Sequence, residues 1–142
     1  MSANNHKIWL FVHVIVTVHE RKALLRKPIR TVLFAHLQKN GAERGIRLTA
    51  VNGVDDHLHL LVQLHPAQNL LQVIKSLKAE AANWINNSNL LTEPFEWEEN
   101  FAAYTVSPSG VKQVADFIGR QEEYHQSKSL ESELEVFDKV QL

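Results

Sequence analysis

The sequence predicts an α+β fold of the ferredoxin-like, split β-α-β type: an antiparallel sheet with helices on one face, plus C-terminal helices. Two observations lead to this prediction. Segments rich in β-branched and aromatic residues alternate with segments whose apolar residues recur at helical spacing, in the order β-α-β-β-α-β and then helices. The chain has 142 residues, 44% of them hydrophobic and 22% charged. That size and composition suit one globular domain spanning 1–142.

The first half of the predicted sheet begins after a polar, flexible N-terminal segment, 1–7. The run 8–18 alternates between a strongly apolar face and a mixed face that carries His13, which we expect to be a satisfied or exposed strand histidine. Pro28 suits the first turn of a helix that runs to about Arg44, where Gly45 is a natural C-cap. These features predict the first strand and the first helix.

The remaining elements follow from the same two periodicities. In chain order they are a strand over 47–54 with a bend or bulge at Gly53, a strand over 57–65, a helix over about 68–86, a short strand over 102–106, a helix within 108–128 and a terminal helix within 129–142. In this topology both main helices pack on one face of the sheet. We therefore expect the other face to be free of helices.

The third strand carries the candidate chemistry. Two histidines, His57 and His59, are two residues apart and point to the same face, roughly 7 Å apart along the strand, which is close enough to hold one cation. The preceding Asp55-Asp56 pair suits a turn that leads into the strand. The alternative is a half-buried strand whose polar face carries histidines by chance, since the chain has eight His.

Composition excludes several classes of site. There is no Cys, so neither a disulfide framework nor a thiolate metal site is possible. A formal charge of −1 argues against a broad, nonspecific duplex-binding surface, although it permits a local basic patch. The apolar run 8–18 is too short to span a bilayer and no small-residue cleavage site follows it. We expect a cytoplasmic protein without membrane contact.

Four segments together resemble a known family. They are GVDDHLHLLV (53–62), SLKAEAANWI (76–85), FEWEENFAAYTVSPSGV (95–111) and VADFIGRQEEYH (114–125). In this order, over roughly 8–128, they are similar to the single-tyrosine HUH transposases of the insertion-sequence-200 type, including the repeat-associated tyrosine transposases and their domesticated relatives.

The resemblance implies an activity and a site. Such enzymes bind single-stranded DNA, often beside a hairpin, and a tyrosine attacks the DNA backbone to leave a 5′-phosphotyrosine link. A divalent metal, Mg²⁺ or Mn²⁺, is held by the two HUH histidines and by a third ligand on the tyrosine helix. His57 and His59 match the pair, and Gln121 matches the third ligand. The family also implies a homodimer whose sheets join edge to edge.

One departure from the family pattern affects the chemistry. The nucleophilic tyrosine is expected four residues before Gln121, and the residue there is Phe117, which has no hydroxyl. The phenylalanine could have been introduced to trap a DNA complex, or it could belong to a natural relative that lost cleavage, or another hydroxyl such as Tyr124 or Tyr104 could have taken over. Tyr124 is expected on the same edge of that helix, two turns from Phe117 and roughly 10 Å along the axis, which is too far for a replacement without moving the helix.

Mild acidity is a second departure and favours a degenerate or domesticated copy. The candidate DNA contacts are six basic residues: Arg21, Lys22, Arg26, Lys27, Lys75 and Lys78. Three functions remain open. The chain could be a strand-transferase scaffold that is cleavage-inactive with Phe117, a non-catalytic DNA-binding relative, or a ferredoxin-like sensor of metal or small molecules.

Overall fold

The structure is a computed structural model that describes residues 6–138. Residues 1–5 of the segment expected to be flexible lie outside the described residues, and so do residues 139–142 of the predicted terminal helix. Within 6–138, no helix has both the length and the apolar character needed to cross a bilayer.

Four strands and five helices make up the described part of the chain. In order they are β1 (Phe11–Thr17), α1 (Lys27–Glu43), β2 (Arg47–Val54), β3 (His57–Gln63), α2 (Leu70–Asn87), β4 (Ala102–Val106), α3 (Val111–Gly119), α4 (Gln121–Tyr124) and α5 (Leu130–Phe137). Short 3₁₀ turns cover His19–Arg21 and Pro108–Gly110. Gly45 follows α1 with a φ of +74°, a left-handed conformation that favours glycine.

The sheet has the order β2-β3-β1-β4, and each neighbouring pair is antiparallel. This is the predicted ferredoxin-like topology, which is therefore confirmed. β3 lies in the interior of the sheet between β2 and β1, so the HUH histidines have a neighbouring strand on each side. In the β1–β3 register, Ile15 pairs with His59 and Thr17 with His57.

One face of the sheet forms the main core. Alternate residues of β1 and β3, such as Val14 and Leu60, pack there against Leu33 of α1 and Ile74 and Leu77 of α2. Fully burying a side chain of this size contributes about 1.5–3 kcal/mol. The period of two along each strand consequently turns His13, His57 and His59 to the opposite face.

The opposite face is not free of helices, contrary to our expectation. α3 packs Ile118 against Phe11 and Leu61 in a second, smaller apolar cluster, and α5 buries Leu130. His57 and His59 are only 1% and 0% exposed as a result. The C-terminal helices can cover this face because Phe11 and Leu61 give their apolar residues a partner surface beside the histidines.

The stretch 108–128 was predicted as a single helix, and the structure divides it. α3 ends at Gly119, and Arg120 departs from helical geometry with φ −108° and ψ 26° before α4 begins. Gly119 is a weak helix former, so the backbone can bend there at low cost. This break changes which side chains of α3 and α4 meet.

The β2–β3 hairpin depends on Gly53. A Cβ added at this position would lie 2.3 Å from the carbonyl oxygen of His57 and 2.7 Å from Cδ2 of Leu58. The irregularity in strand pairing lies instead between Leu48 and Ala50. Gly53 therefore permits a close approach to the start of β3 rather than forming a bulge.

Candidate metal centre

Two helices close over the histidines of β3. His125 follows α4 and Glu133 lies on α5, and both side chains point at the strand, with Glu133 0% exposed. Each of His57, His59, His125 and Glu133 offers one donor atom, and all four atoms lie within 4.8 Å of one another. Within residues 6–138, these four side chains are close enough together to hold a metal ion.

The separations within this cluster are short. Oε1 of Glu133 lies 2.8 Å from Nε2 of His59, 3.4 Å from Nε2 of His125 and 3.6 Å from Nε2 of His57. Nε2 of His57 and Nε2 of His125 are 3.1 Å apart. Three imidazole nitrogens thus converge on a single carboxylate oxygen.

The other ring nitrogen of each histidine is also engaged. Nδ1 of His57 lies 2.7 Å from Oδ1 of Asp56, and Nδ1 of His125 lies 2.8 Å from the carbonyl oxygen of Lys128. Nδ1 of His59 is 2.7 Å from Nε2 of His13. Such contacts fix ring orientation and tautomer, so that the Nε2 atoms face inward.

Burial and charge shift the pKa values in opposite directions. Burial would raise the pKa of Glu133, but hydrogen bonds from His57 and His59 hold it far below its usual range. Burial opposes protonation of His57, yet the carboxylates of Asp56 and Glu133 raise its pKa. Burial lowers the pKa of His59, and burial together with His59 lowers the pKa of His13 to about 4. Glu133 is therefore the fixed negative charge of the cluster.

The donor set fits a divalent metal ion. Imidazole nitrogens suit transition metals such as Zn²⁺ and also accept Mn²⁺, whereas Mg²⁺ prefers oxygen ligands. His57, His59, His125 and Glu133 are the residues that would hold the ion. Of the two ions that the family resemblance implied, Mn²⁺ matches these donors better than Mg²⁺.

Gln121 lies beside these four donors. It is 0% exposed, its Nε2 donates to Oε2 of Glu133 at 3.1 Å, and its Oε1 is 3.1 Å from Nε2 of His125. The structure thus brings the expected third ligand to the centre but turns its amide toward Glu133. In this arrangement the amide of Gln121 is a hydrogen-bond neighbour of that carboxylate.

Phe117 stands against the same cluster. Its ring centroid lies 5.9 Å from that of His59 and 6.3 Å from that of His13, both edge-on, and 5.7 Å from that of Phe137 on α5. The side chain is half-buried, in contact with the apolar cluster of Ile118. The structure places Phe117 beside the histidine pair with no hydroxyl to offer there.

Tyr124 is much nearer to Phe117 than we expected. The ring centroids of the two side chains are 5.2 Å apart. The expected separation of roughly 10 Å assumed one continuous helix, and the break at Arg120 removes that assumption. Tyr124 also packs against the ring of His125, at 5.1 Å between centroids.

Four of the candidate DNA contacts lie between the end of β1 and the first residue of α1, Lys27, and three of them have acidic partners. Arg21 is bonded to Glu131 of α5 and lies 3.3 Å from Asp56. Lys22 lies 3.7 Å from Glu93, and Lys27 lies 3.5 Å from Glu122. Arg26 is exposed immediately before α1.

The other two candidates, Lys75 and Lys78, lie on α2, which packs on the sheet face opposite the histidines. Nζ of Lys78 donates to the carbonyl oxygens of Glu98 and Glu99 at 2.6 and 3.0 Å, and it lies 6.0 Å above the ring of Phe101. Lys78 therefore holds the loop before β4 in place. Lys75 is exposed one turn earlier.

Sequence reasoning missed His125 and Glu133. His125 follows Gln121 at i+4, which places it one helical turn further along. Glu133 follows the cap at Ser129, whose side chain accepts from the backbone N–H of Ser132. Neither spacing distinguishes these residues from other histidines and glutamates, because their convergence depends on how α4 and α5 dock.

Comparisons with known proteins agree with this fold. The family described as Transposase IS200 like matches residues 7–121. Because that range is most of the sequence, the chain belongs to the IS200-like transposase family.

Two solved structures are similar to it. One is a candidate transposase from Deinococcus radiodurans R1, with a TM-score of 0.69 and 22% identity over 85% of this chain and 97% of that chain. The other is a REP-associated tyrosine transposase bound to a REP hairpin, with a TM-score of 0.63 and 15% identity over 88% of this chain and 74% of that chain. At these identities the likeness shows a shared fold. No curated protein sequence matches the chain.

Proposed function

We propose that this chain binds single-stranded or hairpin-forming DNA on the transposase fold and does not cleave it. The observation that carries the proposal is the ring of Phe117, which lies 5.9 Å from that of His59 at the position expected for the tyrosine nucleophile. A phenylalanine cannot form a phosphoester, so covalent catalysis through this residue is excluded. Membership of the family and the hairpin-bound relative support the DNA ligand.

An open pocket beside Phe117 is a candidate entry point for a DNA strand. Its volume is about 490 Å³, and it is lined by Phe117, Tyr124 and Arg120 together with Gln113, Asp116 and Glu123. Aromatic rings offer stacking surfaces to unpaired bases, and arginine is well suited to phosphate. Arg26 and Lys27, on the N-terminal side of α1, are candidates for further backbone contacts.

A divalent ion, Mn²⁺ or Mg²⁺ by family resemblance, is the expected cofactor. Bound beside His57 and His59, it would supply positive charge to a phosphodiester. The chain's own contribution is to orient the imidazole rings through Asp56 and His13 and to exclude water by burying them.

We also infer a cytoplasmic homodimer. β2 and β4 are the two edges of the sheet, so each has one side that is unpaired within the described residues and could join a second copy. Light scattering with size-exclusion chromatography tests this inference. A mass of one chain at all concentrations would contradict it.

The test of the proposed function compares four proteins on hairpin-bearing single-stranded DNA with Mn²⁺: the unaltered chain, Phe117→Tyr, Phe117→Tyr with Glu133→Gln, and Phe137→Tyr as the matched aromatic control. We expect all four to bind the DNA at low salt, where phosphate contacts are strongest. A denaturation-resistant adduct between protein and DNA is expected with Phe117→Tyr. None is expected with the unaltered chain or with Phe137→Tyr, because both keep phenylalanine at position 117. An adduct with the unaltered chain would contradict the proposal that it does not cleave DNA. If the unaltered chain does not bind DNA at low salt, the sensor function is favoured.

A second candidate, cleavage through Tyr124, is favoured by its ring contact with Phe117 at 5.2 Å. Burial and the charge of Glu133 raise the pKa of Tyr124, which disfavours the phenolate. Tyr104 is less suited, because burial and a hydrogen bond to Asp138 raise its pKa to about 12. If the unaltered chain forms an adduct that Tyr124→Phe abolishes, this candidate replaces the first.

A further inference from the structure

In their neutral forms, His57 and His125 direct nitrogen lone pairs at each other and at Glu133. Nδ1 of His57 faces an ionised carboxylate and Nδ1 of His125 faces a carbonyl oxygen, so each Nδ1 carries the proton in the neutral ring. The two Nε2 lone pairs then face each other across 3.1 Å. Glu133 adds a negatively charged oxygen to the same space. Such an arrangement is repulsive unless a cation or an added proton lies between the groups.

We propose that His57, His59, His125 and Glu133 form a closed, four-coordinate centre for a borderline divalent cation of the Zn²⁺ class, with α5 supplying the fourth ligand. This inference deepens the proposed function, because the centre includes the expected HUH pair. It does not require DNA binding. It differs from the expected site in ligand set, in coordination number and in ion class.

The spacing of the donors supports four-coordination. A tetrahedral ion with ligands at about 2.0–2.1 Å has neighbouring ligand atoms about 3.3 Å apart. Four of the six separations among these donors are 2.8, 3.1, 3.4 and 3.6 Å, which bracket that value, and all six are within 4.8 Å. Octahedral Mg²⁺ would need additional oxygen ligands or waters in a space that is closed by protein.

The surrounding contacts also suit a metal centre. Each of the three histidines has its Nδ1 held by another group: a carboxylate, a ring nitrogen or a backbone carbonyl. Gln121 donates to the second oxygen of Glu133 and thereby aims the first oxygen inward. These are the outer contacts that orient ligands around bound metals.

The two added ligands are specific to the C-terminal part of this chain. The family match ends at residue 121, whereas His125 and Glu133 lie beyond it. Glu133 reaches the centre only when α5 is docked through Leu130 and through the contact of Phe137 with His13, whose ring centroids are 4.9 Å apart. Metal binding and the docking of α5 should therefore stabilise each other.

The experiment uses full-length protein stripped with a chelator and titrated separately with Zn²⁺, Co²⁺, Mn²⁺ and Mg²⁺ by calorimetry. We expect one site per chain, with Zn²⁺ bound at least about 1,000-fold more tightly than Mg²⁺. Co²⁺ should give the strong visible absorption of four-coordinate Co²⁺. The weak absorption of six-coordinate Co²⁺ in the unaltered protein would overturn the proposal, even if every variant failed to fold.

Variants identify the ligands. Glu133→Gln and His125→Gln should each weaken Zn²⁺ binding by at least about 100-fold, and Gln121→Leu by about 10-fold as an orienting residue. Glu135→Gln, on the exposed side of the same helix, should leave the affinity unchanged. If Gln121→Leu abolishes binding while Glu133→Gln does not, the ligand set is the one expected for the family and the proposal is wrong.

The metal-binding experiment can fail or succeed independently of the proposed DNA binding. Zn²⁺ binding without any DNA binding at low salt would support the centre and remove the proposed function. DNA binding with no preference for Zn²⁺ over Mg²⁺ would leave the proposed function and overturn the centre. If only a proton fills the space, no tight metal binding will be measured and the proposal fails.

Discussion

Nε2 of His57 and Nε2 of His125 lie 3.1 Å apart, although 68 positions separate the two residues in the chain. His57 comes from the interior strand β3, and His125 follows the short helix α4. Their approach requires the chain to break its helix at Arg120 and to fold back over the sheet. The stability of this C-terminal part is therefore linked to the site.

Glu133→Gln should destabilise the metal-free protein by about 2 kcal/mol, because it removes a charged acceptor that is bonded to His59 and Gln121 in a buried site. Glu135→Gln, two residues further along α5, should change stability by no more than about 0.5 kcal/mol. Urea unfolding in the presence of a chelator measures both. Equal effects of the two variants would show that α5 is not held by Glu133.

Acid should destabilise the metal-free protein through His13. Burial and His59 lower the pKa of His13 to about 4, from 6.5. The unfolded chain therefore binds more protons than the folded chain between these values. The contribution of His13 to stability is fully present above pH 6.5 and is lost as the pH falls to about 4, by up to about 3 kcal/mol.

His13→Gln tests this pH dependence, because a glutamine amide can donate or accept a hydrogen bond with His59 but does not titrate. The loss of unfolding free energy between pH 6.5 and 4 should be smaller in this variant than in the unaltered chain. His6→Gln, at an exposed position, is the control and should keep the full slope. Parallel pH profiles for all three proteins would contradict the lowered pKa of His13.

Gly53→Ala should destabilise the fold by about 3 kcal/mol or more, because the new methyl group meets backbone atoms at the start of β3. Gly119→Ala is the matched control, since nothing lies within 4 Å of its added Cβ, and it should change stability by less than about 1 kcal/mol. Thermal and urea unfolding give both values. A tolerated Gly53→Ala would mean that the β2–β3 hairpin is more open than the structure shows.

Arg30→Met should destabilise the protein by about 2–3 kcal/mol. The Arg30 side chain is 8% exposed, and its guanidinium donates to Asp55 at 2.7 Å and to Glu122 at 3.0 Å. Lys27 pairs with the same Glu122 but is 71% exposed, so Lys27→Met should cost no more than about 0.5 kcal/mol. Urea unfolding measures both variants. If they lose similar amounts of unfolding free energy, Arg30 is not the residue that holds α1 against α4.

The sequence predicted the sheet well because strand periodicity leaves little freedom. Two strands, Arg47–Val54 and Ala102–Val106, have the predicted bounds. A period of two also required His57 and His59 to share a face, whatever else packed there. The N-terminal strand is shorter than predicted, Phe11–Thr17 rather than 8–18, because pairing with β3 and β4 begins at Phe11.

The C-terminal part could not be predicted in the same way. Apolar spacing continues across Gly119, so the pattern gave no sign of the break that brings Tyr124 to Phe117. Glu133 is one of 16 acidic residues, and only the docking of α5 distinguishes it. Short helices with few apolar residues carry little positional information in their own sequence.

The order of synthesis follows from the position of Glu133. It lies 74 positions after His59, to which its carboxylate is bonded. All four strands are synthesised before this side chain, so a chain that stops before α5 contains the whole sheet while its histidines lack their carboxylate neighbour. A stop codon anywhere between β4 and α5 would leave a nascent product with all four strands and an incomplete cluster.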